Sequence, residues 1–167
     1  DALPIWMQQA IELAKRGLYS TKPNPNVGCV IVKDNQVIGE GFHPKAGQPH
    51  AEVFALRQAG EQAQGATAYV TLEPCAHYGR TPPCAEALVK AQVKKVVVAC
   101  PDPNPLVAGK GVQILKNAGI EVEIGICEDL AAQLNQGFLK AMSTGMPYVR
   151  LKVASSLDGR TAMASGE

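Results

Sequence analysis

The stretch PHAEVFALRQAGEQAQGATAYVTLEPCAHYGRTPPCAE, residues 49–86, decides the fold, because its helices and its strand begin or end beside residues that can bind a metal. Its apolar periodicity predicts a helix over 50–59, a buried strand over 67–72 and a helix from 84 to about 89. In α/β proteins, ligand sites collect at helix starts and at the carboxyl ends of strands. The stretch therefore predicts an α/β fold with its site here.

One histidine and two cysteines of this stretch match the ligands of a catalytic zinc ion, which takes three protein ligands and leaves a fourth position open. They are His50, Cys75 and Cys84. Glu52 lies two residues after the histidine, where it could carry a proton during hydrolysis without being a ligand. The hypothesis is a zinc-dependent hydrolase with one Zn²⁺ per chain.

Helices and strands alternate along the rest of the chain. We expect helices over 4–18, 111–118 and 128–142, and strands over 27–33, 37–41, 95–100 and 120–126. The first two strands form a hairpin, whereas helices connect the later strands, which are expected to be parallel. This order predicts a three-layer α/β/α sandwich around a mixed sheet of about five strands.

The composition excludes several classes of protein. A chain of 167 residues with 46% hydrophobic residues is long enough for one domain with a real core. Its net charge of +1 comes from 16 basic and 15 acidic residues without a basic block, and aromatic residues are only 5%. A small-molecule substrate is therefore favoured over nucleic acid.

Targeting signals and cysteine usage point to the cytoplasm. No apolar run approaches the roughly 20 residues of a membrane span, and the first ten residues lack the basic end and long apolar middle of a secretory signal. Five cysteines in such a chain are more often free or metal-bound than disulfide-bonded. Cys29, Cys100 and Cys127 are expected to be small packing residues. We expect a cytoplasmic protein without membrane contact.

Two simpler interpretations of the metal motif have to be weighed. A lone histidine at a helix start is usually a surface or capping residue, and two cysteines separated by eight residues are weak evidence for a metal. A structural zinc site normally takes four protein ligands, whereas here three candidates stand beside a carboxylate at the wrong spacing. H-A-E together with the E-P-C turn favours a catalytic site.

These motifs resemble a known family. H-A-E, followed after a helix and a strand by P-C and a second cysteine, is the signature of zinc-dependent cytidine and nucleotide deaminases. Most members have two residues between the cysteines, whereas L-E-P-C-A-H-Y-G-R-T-P-P-C resembles the deaminase half of the bifunctional riboflavin-biosynthesis deaminase/reductase. Further matches to that half are T-K-P-N-P-N-V-G-C-V-I-V at 21–32, G-E-G-F-H at 39–43 and D-P-N-P-L-V-A-G-K-G at 102–111.

The resemblance implies a cytidine deaminase-like fold. It also implies that the chain hydrolytically removes the ring amine of 2,5-diamino-6-(5-phosphoribosylamino)pyrimidin-4-one and releases ammonia. It also implies that His50, Cys75 and Cys84 bind zinc, that Glu52 shuttles protons, and that the enzyme is a homo-oligomer. The implied substrate-binding residues are Asn24, His43, His77, Asp102 and Asn104, with Arg80 placed to contact the phosphate or ribose. The alternative for several of these is that Asn and Asp between prolines simply form turns.

The end of the chain is expected to differ from the rest. Residues 1–146 are predicted to form the deaminase domain, and Y-V-R-L-K-V-A-S-S-L-D-G-R at 148–160 resembles the first strand and loop of the reductase half. NADPH would bind in that missing half, because about twenty residues are too few for a domain of its own. Residues 154–167 are expected to be loosely held. The alternative is an extra edge strand of the deaminase sheet.

Two rival functions stay open at this point. A nucleic-acid or tRNA deaminase would share the core, although the balanced charge and scarce aromatic residues argue against it. A non-catalytic, zinc-stabilised interaction module would also use histidine and cysteine ligands.

Overall fold

The computed structural model describes residues 3–79 and 82–166. Its elements in chain order are α1 (Leu3–Lys15), β1 (Gly28–Lys33), β2 (Gln36–Phe42), α2 (Ala51–Ala59), a 3₁₀ turn (Gly60–Ala63), β3 (Thr67–Leu72), α3 (Cys84–Lys90), β4 (Lys95–Cys100), α4 (Lys110–Asn117), β5 (Glu121–Ile124), α5 (Glu128–Leu134) and α6 (Gln136–Thr144). The bounds of β3 and β4 agree with the prediction, and most other bounds differ by one to three residues.

One mixed sheet of five strands lies at the centre, in the order β2-β1-β3-β4-β5. Strand β1 is antiparallel to both β2 and β3, whereas β3, β4 and β5 are parallel. Helices connect the parallel strands along the chain, because two parallel strands can be joined only by a crossover connection. The predicted mixed sheet of about five strands is confirmed.

Side chains of successive strand residues point to opposite faces of the sheet and form two separate cores. Cys29 and Ile31 of β1 pack with the small residues of α2 and with α3 and α4. Val30 and Val32 of the same strand pack with α1 and α5. Helices therefore cover both faces, and the three-layer α/β/α sandwich is confirmed.

Two glycines let helices lie directly on the hairpin. A Cβ atom at Gly28 would lie 1.9 Å from the backbone oxygen of Ala10 in α1, and one at Gly41 would lie 2.2 Å from that of Ala51 in α2. The second contact matters for function, because it holds the first turn of α2 against β2. His50 precedes that turn, and Glu52 lies within it.

The predicted helix over 128–142 is wrong in one respect, since Asn135 divides it into α5 and α6. The Asn135 side chain accepts a hydrogen bond from the Asn26 backbone N–H at 2.7 Å and donates one to the Asn26 carbonyl at 2.8 Å. The Asn26 side chain in turn donates to the Leu134 carbonyl at 3.1 Å. These bonds satisfy backbone groups at the helix break, which periodicity alone could not reveal.

We expect Asn135→Ala to lower the free energy of unfolding by about 2–3 kcal/mol, because it leaves the buried backbone groups of Asn26 without partners. Urea unfolding followed by circular dichroism measures the loss. Gln133→Ala, at an exposed position of α5, is the matched control and should change stability by less than about 0.5 kcal/mol. Equal stability of the two variants would contradict the role of this link.

The end of the chain forms neither helix nor strand from 145 to 166, and these residues are exposed. The alternative of an extra edge strand is therefore not observed in the described residues. Lys140 of α6 lies over the Tyr148 ring, 6.0 Å from its centroid. The division into residues 1–146 and 147–167 stays a prediction. Among the described residues, we find no helix that is both long enough and apolar enough to cross a membrane.

Candidate active site

A cavity of about 240 Å³ lies where the carboxyl ends of β3 and β4 meet the loop before β1. Its walls include all the predicted site residues except Cys84 and Arg80. Cys84 is buried beside it, and Arg80 lies outside the described residues. The position agrees with the rule that open α/β sheets place ligands at the carboxyl ends of their strands.

The predicted zinc ligands lie together at this cavity. The Nδ1 atom of His50 is 3.5 Å from the sulfur of Cys75 and 3.3 Å from that of Cys84. The ligand atoms of all three residues lie within 4.8 Å of one another. A tetrahedral zinc ion with bonds of about 2.1 Å to nitrogen and about 2.3 Å to sulfur would separate these atoms by roughly 3.6 Å. The donor set and its spacing therefore fit zinc.

Two local contacts bring the cysteines together. The backbone N–H of Cys84, the first residue of α3, donates to the Cys75 sulfur at 3.2 Å. The N–H of Ala85 donates to the Cys75 carbonyl at 3.2 Å. These bonds close the base of the eight-residue insert, so that its length does not keep the two sulfurs apart.

Hydrogen bonds among the ligands change their affinity for protons. The hydrogen bond with Cys84 lowers the pKa of the Cys75 thiol, and the contact with His50 lowers it further. The same hydrogen bond and burial raise the pKa of Cys84. Its hydrogen bond to Cys75 raises the pKa of His50. The two thiols are close enough for each to change the proton affinity of the other.

Glu52 has a free carboxylate oxygen inside the cavity wall. The residue is 3% exposed, and its Oε2 atom is buried without a hydrogen-bond partner within the described parts of the chain. Burial raises the pKa of the Glu52 carboxyl, although a positive charge on His50 lowers it. A buried carboxyl with a raised pKa and an open oxygen can both take and release a proton.

His43 and Asn24 form a pair in which the protein occupies both imidazole nitrogens. Nδ1 lies 3.1 Å from the Pro49 carbonyl, which can only accept, so this nitrogen carries the proton. Nε2 then accepts from the Asn24 amide nitrogen at 3.0 Å. Burial lowers the pKa of His43 and keeps it neutral. His43 thus orients Asn24, and its ring also meets the His50 ring edge-on at 5.3 Å.

Asp102 and Asn104 combine both predicted roles, turn formation and cavity lining. Asp102 accepts the Asn104 backbone N–H at 2.8 Å, and Asn104 accepts the Leu106 N–H at 3.1 Å. Each side chain therefore has only part of its hydrogen-bonding capacity left for a ligand. Burial raises the pKa of Asp102, and the charge of Glu73 adds to this effect. His77 is exposed at the cavity mouth.

Seven residues of the cavity wall were not among the predicted site residues, and two of them, Phe138 and Glu73, bear on its function. Phe138 of α6 reaches the cavity, and Glu73 contributes a buried carboxylate. The apolar face of the last helix already included Phe138, but periodicity could not show that it lies at the site. A signal for Glu73 did exist, because an acidic residue directly after a buried strand must find partners for its charge.

A second, larger cavity of about 470 Å³ borders the first. It shares Asn24, His50, Cys75 and His77 with the first cavity and is otherwise lined by residues 46–48 and Gly79. The two cavities together could hold a ligand larger than a single ring.

The fold and this cluster define a zinc-binding deaminase domain, and comparison with known families agrees. Residues 3–100 match the model described as the cytidine and deoxycytidylate deaminase zinc-binding region. The chain belongs to this family.

Within the family, the chain is similar to riboflavin biosynthesis proteins. It is 64% identical to RibD of Haemophilus influenzae over 98% of this chain and 44% of that protein, and 63% identical to RibD of Escherichia coli over 97% and 44%. A solved structure of Acinetobacter baumannii RibD is 96% identical, with a TM-score of 0.96 over 99% of this chain and 47% of that one. The chain thus spans less than half the length of these relatives. The resemblance to this family is confirmed.

Proposed function

We propose that this chain catalyses hydrolytic deamination of the diamino-hydroxy-pyrimidine that carries a ribosylamino 5′-phosphate, with release of ammonia, as an early step of riboflavin biosynthesis. The open Oε2 atom of Glu52 beside the His50, Cys75 and Cys84 cluster is the observation that carries this proposal. A purely structural zinc site has no use for a buried carboxylate that keeps one oxygen without a partner. A Thermotoga maritima protein named as a deaminase of this pyrimidine and a reductase supports the substrate, at 45% identity and a TM-score of 0.93.

In this proposal His50, Cys75 and Cys84 hold one zinc ion. Zinc bound there supplies a Lewis acid that makes water nucleophilic near neutral pH. The starts of α2 and α3 add positive partial charge around the cluster, which favours thiolate over thiol.

Glu52 moves the protons of the reaction. Its carboxylate takes a proton from the attacking water and gives it to the ring nitrogen, which makes the ring carbon electrophilic. Glu52 then takes the proton of the hydroxyl group that has been added to the ring carbon and gives it to the amine, which leaves as ammonia while that hydroxyl becomes the ring carbonyl. Burial of Glu52 suits both steps, because a raised pKa brings the proton affinity of the carboxyl closer to that of its partners.

The two cavities fit the two parts of the proposed substrate. The cavity beside Glu52 accommodates a pyrimidine ring, and Asn24, held by His43, presents its amide oxygen to N–H groups of that ring. The neighbouring cavity accommodates the ribosyl phosphate. Arg80 follows Gly79, a residue of this cavity wall, in the sequence, and a guanidinium suits the pairing with a phosphate. His77, Asp102 and Asn104 complete the proposed binding site.

The substrate class can be tested with the purified chain loaded with zinc. We expect it to release ammonia from the phosphoribosylamino pyrimidine and none from cytidine, because cytidine has no phosphate to occupy the second cavity. A coupled ammonia assay with both compounds under the same conditions measures this. Release from cytidine alone, or from neither compound, would contradict the proposed function.

The relatives extend well beyond the part that this chain matches. We propose that residues 147–167 begin a reductase half in which NADPH binds, and that this chain itself does not oxidise NADPH. The reductase in the name of the Thermotoga protein supports this, because the chain covers 48% of that protein. NADPH absorbance during turnover by the chain is the test. Consumption coupled to product formation would contradict the division into domains.

Further expectations about partners and location are also proposals. We propose a homo-oligomer that acts in the cytoplasm on a small molecule, without nucleic acid or membrane partners. All five cysteines lie in the described part of the chain and none of them forms a disulfide there, which supports a reducing compartment. Light scattering tests the oligomeric state, and RNA binding that weakens with salt would revive a nucleic-acid deaminase.

A further inference from the structure

Glu73, the residue after β3, has an unusual set of hydrogen bonds. Its Oε2 atom accepts the backbone N–H groups of Asp102 at 3.3 Å and Gly109 at 3.1 Å, and its Oε1 atom accepts that of Val112 at 3.2 Å. The side chain is 4% exposed. A buried carboxylate needs hydrogen-bond partners, and here backbone N–H groups supply them.

The three donors surround one loop. Asp102 lies near its start at the end of β4, whereas Gly109 and Val112 lie at its end and in the first turn of α4. The backbone N–H of Glu73 also donates to the Cys100 carbonyl at 2.9 Å. One residue at the end of β3 therefore holds both ends of the loop over 101–109.

This loop contributes a wall of the cavity. Asp102, Asn104 and Val107 line the cavity from it. Asp102 accepts the Asn104 N–H and Asn104 accepts the Leu106 N–H, and these bonds shape the loop internally but do not attach it to the sheet. The attachment to β3 comes through Glu73.

The loop is also close to the cluster of ligands. A Cβ atom at Gly111 would lie 2.0 Å from the Pro74 carbonyl, so the start of α4 is pressed against the backbone between Glu73 and Cys75. Glu73 is thus joined to the loop by its side chain and to Cys75 by the chain itself. A shift of Glu73 would move the loop relative to the ligand.

We infer that Glu73 is a positioning residue that holds the loop over 101–109 so that Asp102 and Asn104 meet the substrate. The inference rests on the proposed function for the identity of that substrate. Glutamine would turn an NH₂ group towards at least one of the three N–H donors, and two donors cannot pair. Glutamine has nearly the same volume as glutamate but one acceptor atom fewer, so Glu73→Gln tests the carboxylate without changing the packing.

We expect Glu73→Gln to raise KM for the phosphoribosylamino pyrimidine roughly tenfold, the effect of losing about one charge-assisted hydrogen bond, with less effect on kcat and with zinc content unchanged. Glu73→Asp, which keeps both acceptor oxygens of a carboxylate, should recover part of the affinity. Glu61→Gln, at an exposed position of the 3₁₀ turn, is the matched control. A lower yield of folded enzyme with an unchanged KM would show a structural role only and overturn the inference.

Hydrogen exchange of the zinc-loaded protein tests the same contact without substrate. The amides of Asp102, Gly109 and Val112 should exchange slowly in the wild type and faster in Glu73→Gln or Glu73→Asp, while the amides of α2 stay unchanged. Rapid exchange of the three amides in the wild type would overturn the inference even if no variant folds. If the wild type releases no ammonia, the proposed function fails, whereas the exchange pattern still decides whether Glu73 holds the loop.

Discussion

Glu52→Gln is expected to keep its zinc and to lose turnover by about 10²- to 10⁴-fold, the contribution of a positioned general acid-base. Glutamine has nearly the same volume, so the packing around α2 should survive. It cannot take a proton from water, and it cannot pass one to the ring nitrogen or to the departing amine. Glu52 is not among the three residues whose candidate ligand atoms lie together, which are His50, Cys75 and Cys84.

Zinc content by elemental analysis and ammonia release by a coupled assay test both parts of this prediction. Glu61→Gln removes an exposed carboxylate instead and should behave as the wild type. Loss of zinc from Glu52→Gln would mean that the carboxylate is a ligand, which would contradict its assignment as the proton carrier. Full turnover would require another residue to move the protons.

Cys84→Ala and Cys75→Ala are expected to lose both zinc and activity. A site with three protein ligands retains only two after either change, and two ligands do not hold zinc against water and buffer. Cys75→Ala also removes the sulfur that accepts the Cys84 backbone N–H, so in that variant the insert is less firmly closed at its base.

Cys29→Ala and Cys127→Ala are the matched controls, because neither cysteine belongs to the cluster. Cys29 is buried in the core on the α2 side, so its variant should lose some stability and keep its zinc. Elemental analysis of the four purified variants separates these outcomes. Stoichiometric zinc in Cys84→Ala would show that the eight-residue spacing does not mark a pair of ligands.

Several features of the fold follow from local sequence. The strands at Thr67–Leu72 and Lys95–Cys100 are apolar runs between clear breaks, and the structure has them with the predicted bounds. The two-residue turn at Asp34 and Asn35 adopts positive φ at both positions, as residues of this type readily do. Local signals are reliable where the backbone preference and the hydrophobic period agree.

Other features depend on residues that are distant in sequence. Asn135 divides the last predicted helix because its partner is Asn26, more than a hundred residues earlier. His43 is neutral and holds Asn24 because the Pro49 carbonyl and Asn24 both reach its ring. No periodicity carries such information, because a side chain's hydrogen-bond partners are set only when the strands and loops have packed.

The sequence by itself determined the class of fold, the family and the candidate ligands, because the hydrophobic periodicity and the spacing of the metal-binding residues can be seen in the order of the residues alone. Only the tertiary structure decided that one oxygen of Glu52 has no partner, that two neighbouring cavities share His50 in their walls and that Glu73 holds the loop over 101–109. The physical reason is that burial and the satisfaction of polar groups are properties of the packed molecule. A carboxylate such as Glu73 or Glu52 acquires its role from its surroundings once water has been excluded.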